Sequence, residues 1–137
     1  MSTKIAKHFH MWYNSDMKDY ILLFFNVLLT VMGQILLKQG VSKVGVINFR
    51  ELVPKLTQVI LNPYVIGGIS IYGFTTFVWL VILSRVKLSI AYPMLSLGYV
   101  LTIPFSWLFF KESIPRVRII GAIIICIGVY LVAQGET

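Results

Sequence analysis

The chain has 137 residues, 58% of them hydrophobic and 12% charged, with a net charge of +7. Soluble domains run near a quarter charged, so this composition excludes them and points to a single membrane domain. The basic residues sit in short segments between apolar runs and form no stripe, which fits loops at anionic lipid headgroups and argues against nucleic acid as a partner.

Residues 1–19 read as an N-terminal extension, amphipathic in composition, with Trp12 and Tyr13 suited to the headgroup region. His8 and His10 make an H-x-H pair, but no third ligand stands at a metal-binding spacing, so no metal is expected. The first apolar span runs from about Tyr20 to Leu37 and closes on Lys38. It is too long for a cleaved signal peptide and lacks a small-x-small cleavage pattern. Within it Asn26, Thr30, Gln34 and Lys38 fall at successive i, i+4 positions beside Gly33. They make one ridge about 18 Å long at 1.5 Å per residue.

In the connection that follows, Phe49, Leu52, Val53, Leu56 and Val59 recur at helical spacing. Asn48 stands as an N-cap, Glu51 would complete a capping box, and Pro54 falls inside the pattern where it would bend a helix. A short helix lying along the membrane interface and an ordinary loop are both compatible with this stretch. The second span runs from about Tyr64 to Leu83 and is joined to the third by the short "SRVK".

The third span, about Leu88 to Phe110, differs from an inert anchor: it carries Pro93, Pro104, three serines, a threonine and two tyrosines. Tyr92, Ser96, Tyr99 and Ser106 share one helical face. Carbonyls freed by the prolines need protein or water to meet them, so this helix is expected to bend beside an aqueous or substrate-filled space. After the tight "KESIPR" comes the fourth span, about Val117 to Ala133. Gly121, Gly128 and Gly135 recur there every seven residues, a stripe for close helix packing. Four helices enclose little space, so Gly121 and Gly128 are expected at a contact between two subunits. Cys126, the single cysteine, lies among apolar residues and reads as a packing residue.

The fold expected is therefore an all-α integral membrane protein with four transmembrane helices over residues 20–137, dimeric, with that interfacial helix between the first two. Lys4, Lys7, Lys18, Arg85 and Lys87 fall on one side, and Lys38, Lys43, Arg50, Lys55, Lys111, Arg116 and Arg118 on the other. So even a division specifies orientation weakly. The polar faces of spans one and three are expected to look at each other across a cavity, the other reading being hydrogen bonds that hold helices together. No ionisable acid lies inside a span, and Glu112 reads as the acid adjacent to one. Proton-driven antiport through a buried carboxylate is thus disfavoured. No nucleophile–base set, metal cluster, phosphate loop or carboxylate pair can be assembled, so neither catalysis nor a cofactor is expected.

The strings "VMGQILLKQG", "LNPYVIGG", "LSIAYPMLSLGYV", "FFKES" and "IIGAIIICIGVYL", in that order, resemble the drug/metabolite transporter superfamily in its four-helix form. The resemblance covers about residues 20–134. Small multidrug resistance antiporters in that superfamily carry a glutamate in the first helix, three residues before a glycine and eight before a lysine. Gly33 and Lys38 match those two positions, which places Thr30 where the acid would be. Their fourth-helix glycine pair matches Gly121 and Gly128. The chain is more similar to the aminoarabinose-phosphoundecaprenol flippase subunits, through Gly33-Gln34, Lys38-Gln39, Ile90 to Leu97, and Glu112 with Pro115.

That resemblance implies transport of a polyprenyl-phosphate-linked sugar across the bacterial inner membrane, by a homodimer or by a heterodimer with a homologous four-helix subunit, in contact with membrane lipids. Asn26, Thr30, Gln34, Tyr92, Ser96 and Tyr99 would then offer neutral hydrogen bonds to sugar hydroxyls. Lys38, Arg85 and Arg116, with Glu112 nearby, would supply charge for the phosphate at the membrane boundaries. Headgroup anchoring and helix packing are the competing roles for these residues. The competing functions are a multidrug-type exporter and a non-transporting structural subunit.

Overall fold

The computed structural model describes residues 17–135, and every regular element in them is helical. We label them α1 (Met17–Val44), α2 (Leu52–Ile60, after a single 3-10 turn at Phe49–Glu51), α3 (Pro63–Leu83), α4 (Leu88–Leu95), α5 (Leu97–Phe110) and α6 (Arg116–Gln134). With α4 and α5 taken together, four spans are long and apolar enough to cross a membrane. The chain is a multi-pass membrane protein. The extension with His8, His10, Trp12 and Tyr13 lies almost wholly outside the described residues.

α1 and α3 run antiparallel, Gly40 meeting Val65 and Gly33 meeting Tyr72, and the short turns at 83–88 and 110–116 reverse the chain again before α4–α5 and α6. The 83–88 turn therefore lies at the Met17 end of α1, and the 110–116 turn at its Val44 end. α1 packs mainly along α3, while α6 leans on α4 and α5 alone among the described elements. The buried core is Leu23, Val27, Ile82, Val86, Ile90 and Ala91, where α1 meets the α3–α4 turn. Val31, Val59 and Val65 are buried outside it, many large apolar side chains are exposed, and no residue of α6 is buried. In lipid such exposure costs nothing, so helix association relies on close packing and hydrogen bonds.

Glycines provide that closeness between α1 and α3. A Cβ at Gly40 would lie 2.5 Å from Val65 Cγ2, and one at Gly68 would lie 2.7 Å from Leu37 Cγ and 3.0 Å from the Gly33 carbonyl oxygen. Asn62 ties the same contact: its amide donates to the Gly40 carbonyl (3.4 Å) while its oxygen accepts from the Tyr64 N–H (3.0 Å), capping α3 ahead of Pro63. At Gly121 and Gly128, by contrast, a Cβ would meet nothing within 4 Å. Those two glycines are not what packs this subunit together.

Several local expectations change. α1 does not close at Lys38 but continues to Val44. Lys38 and Lys43 find partners there, and Gly45, at φ +82, ends the helix with its N–H on the Val41 carbonyl (3.2 Å). A short helix does form between the first two spans, but the capping box does not: Asn48 makes no side-chain cap. Glu51 instead pairs with Lys55 at 2.8 Å. The Lys55 hydrogen bond, with its charge, holds the Glu51 carboxyl below the usual range. Pro54 sits in the first turn of α2, where its missing N–H breaks no helical bond, so it causes no bend.

The third span breaks once, at Ser96. There the backbone tightens: Ser96 N bonds the Pro93 carbonyl and Tyr99 N bonds the Ser96 carbonyl, both at 3.0 Å. Pro104 interrupts nothing, because the rest of the α5 ladder bridges the single missing bond.

Candidate functional site

α1 and the broken α4–α5 pair enclose a cavity of about 380 Å³ lined by Val27, Thr30, Gln34, Tyr92, Leu95, Ser96, Gly98 and Tyr99. The sequence pattern put Thr30 and Gln34 on one ridge, and Tyr92, Ser96 and Tyr99 on the other. The fold makes them face. Tyr92 and Ser96, one turn apart at the end of α4, line the same space together with Tyr99 at the start of α5.

The wall is neutral but unevenly so. The Thr30 hydroxyl donates to the Asn26 carbonyl (2.8 Å), and the Ser96 hydroxyl to the Pro93 carbonyl. Both therefore present lone pairs to the cavity, while the Gln34 amide and the tyrosine phenols supply donors. Tyr92 meets Trp79 edge to face at 5.8 Å between ring centroids, which orients its ring. Tyr92 and Tyr99 are 57% and 71% exposed, so the cavity opens sideways toward lipid.

Asn26 is set apart. It is buried, its Oδ1 has no partner among the described residues, and it lines a smaller cavity of about 170 Å³ with Thr30, Tyr72, Thr75, Thr76, Trp79 and Leu95. Thr30 and Leu95 border both cavities. Sequence reasoning passed over the α3 wall, although Tyr72, Thr75, Thr76 and Trp79 stand at i, i+3, i+4 and i+7 and so mark one helix face.

The charged candidates do not line either cavity. Lys38 is ion-paired with Glu112 and lies 4.6 Å over the Phe110 ring. That pair joins the end of the α1 ridge to the α5–α6 turn. It depends on Lys111, which takes a left-handed conformation (φ 54) as α5 ends, with the Lys111 N–H on the Trp107 carbonyl and the Glu112 N–H on that of Ser106. At the opposite end Arg85 Nη1 lies 3.5 Å from Asp19 Oδ1. Asp19, buried in the first turn of α1, is thus a second acid beside a span, and Glu112 is not alone in that place. Arg116 is exposed at the start of α6.

A neutral hydrogen-bonding space at mid-span, flanked by charge at both ends, fits a transporter of polar cargo. The EamA-like transporter family model matches residues 49–134. The chain belongs to the EamA-like transporter family. Among curated proteins it is 37% identical over 113 residues to a probable 4-amino-4-deoxy-L-arabinose-phosphoundecaprenol flippase subunit ArnE from Aeromonas salmonicida, covering 82% of this chain and 95% of that protein. It is 32% identical over 111 residues to the ArnE subunit so described from Pseudomonas savastanoi, covering 81% and 93%. To the corresponding ArnF subunit of Serratia proteamaculans it is 30% identical over 113 residues, covering 78% and 85%. No solved structure matches the chain at comparable significance. This member of the EamA-like family thus resembles both kinds of flippase subunit along most of their length.

Proposed function

We propose that this EamA-like protein is one subunit of a translocator that moves a polyprenyl-phosphate-linked sugar across the bacterial inner membrane. The observation that carries the reading is the lateral cavity of Thr30, Gln34, Tyr92, Ser96 and Tyr99. Its donors and acceptors suit sugar hydroxyls, and its opening toward lipid leaves a polyprenyl tail in the bilayer while the head crosses. The flippase relatives support the same cargo. Lys38, Arg85 and Arg116 stand at the two membrane boundaries, where a phosphate begins and ends its passage. Asn26, behind Thr30, offers a further acceptor.

A second subunit completes the path, since the cavity is open on one side and the Gly121/Gly128 face of α6 is uncovered. That subunit is a second copy or a homologous four-helix chain. Thr30 in place of a membrane-embedded acid speaks against a proton-coupled exporter of cations.

The test is appearance of the sugar on the periplasmic face, read by mass spectrometry of lipid A or glycan. Gln34→Leu combined with Tyr99→Phe removes donors at nearly constant volume and should lower the product about 3–10-fold, the worth of one or two neutral hydrogen bonds. Unchanged product from a correctly inserted double variant would take the cavity out of the path. Uptake of ethidium driven by a pH gradient into proteoliposomes would replace the reading with that of a multidrug exporter.

A further inference from the structure

A third cavity, of about 410 Å³, lies on the other face of α5, against α6. Its polar lining is Tyr99, Thr102, Ser106 and Arg118, and Gly121 leaves it unfilled, since a Cβ there would meet nothing within 4 Å. Tyr99 also lines the sugar cavity, so the two share a wall residue. Ser106 and Arg118 lie near the α5–α6 turn, at the same end of the molecule as Lys38. Tyr99 is about 10 Å deeper along α5 at 1.5 Å per residue.

Of the other cations at the span ends several are engaged, and Arg116, exposed at the start of α6, lines none of the three cavities. Lys38 is neutralised by Glu112 and Arg85 by Asp19, while Lys43 lies 3.9 Å over the Tyr64 ring. Arg118 has no ion-pair partner among the described residues, and the Ser106 hydroxyl has no bond there either. The Thr102 hydroxyl donates to the Tyr99 carbonyl (2.8 Å), which leaves its lone pairs for the cavity. A free guanidinium and a free hydroxyl at one mouth are two donors without an acceptor. A phosphate oxygen pair satisfies both, the guanidinium through its two-pronged geometry.

We infer that the α5/α6 cavity is an anion site where Arg118 and Ser106 hold the phosphate of a lipid-anchored ligand. The inference rests on the translocator reading for the identity of the ligand, whose sugar then reaches the adjoining cavity past Tyr99. It assigns the phosphate to Arg118 in preference to Lys38, which would have to release Glu112 first.

The experiment uses the full chain in phosphatidylcholine nanodiscs, with farnesyl phosphate as probe and farnesol as the same tail without charge. Arg118→Gln should weaken farnesyl phosphate binding about tenfold or more and leave farnesol unaffected. Arg118→Lys should retain part of the affinity, Ser106→Ala should lose a few-fold, and Lys55→Gln, on α2 and outside all three cavities, should stay within about twofold of wild type. Helicity and elution volume check that each variant is folded. Wild-type protein that ignores farnesyl phosphate, or an Arg118→Gln variant that binds it normally, overturns the assignment. Equal competition by phosphatidylglycerol would reduce Arg118 to a bulk lipid anchor, and equal binding of inorganic phosphate would make the ligand a free ion; either result also overturns it. The readout needs no transport. If Arg118-dependent binding holds while the periplasmic sugar assay fails, the translocator reading falls alone.

Discussion

Replacing Gly68 by alanine adds one methyl group where α3 crosses α1, and the structure leaves no room for it. The new carbon would lie 2.7 Å from the Leu37 branch carbon and 3.0 Å from the Gly33 carbonyl oxygen. The first distance is about 0.7 Å inside the 3.4 Å lower edge of ordinary contact, and the second involves backbone that no rotamer change can move. Overpacking of this kind costs about 1–3 kcal/mol. Alanine returns about 1 kcal/mol through its better helix propensity, so the net expectation is a loss of up to about 2 kcal/mol. Gly73→Ala, on the same helix, supplies the control, because a Cβ there meets nothing within 4 Å and only the propensity gain remains. The assay is unfolding by SDS titration of mixed micelles, followed by far-UV circular dichroism. Gly68→Ala should unfold at lower SDS mole fraction than wild type, and Gly73→Ala at an equal or higher one. A Gly68→Ala protein as stable as wild type would refute the claim that glycine contact holds α1 against α3.

Gly128→Leu should weaken dimerisation in detergent while insertion and monomer stability are retained, because the residue is open in the single subunit; an unchanged dimer fraction in analytical ultracentrifugation would place that face against lipid. Lys38→Ala and Glu112→Ala should each cost no more than about 1 kcal/mol, since both side chains are partly exposed, and the double variant should cost no more than either single one. Full additivity in that cycle would mean the pair is not formed.

Much of the architecture was legible in the amino-acid sequence for a simple reason: in hydrocarbon every backbone polar group must be satisfied within its own helix, so long uncharged runs translate directly into spans. The polar ridge from Asn26 to Gln34 and the Tyr92–Ser96–Tyr99 face were legible too, because helical periodicity is local. What sequence could not supply was the partner of each group. Lys38 reads in sequence as a cation at the membrane boundary; only the left-handed turn at Lys111 brings Glu112 to it, a contact 74 positions away in the chain. Glycine spacing singled out α6, whereas the close approach within the subunit belongs to Gly33, Gly40 and Gly68 on α1 and α3. A glycine's sequence position says that a helix can be approached, but not which helix approaches it. The same holds for cavities. The polar residues were visible one helix at a time, while the division into three spaces, with Thr30, Leu95 and Tyr99 as shared wall residues, arises only from how α1, α3, α4, α5 and α6 pack against one another.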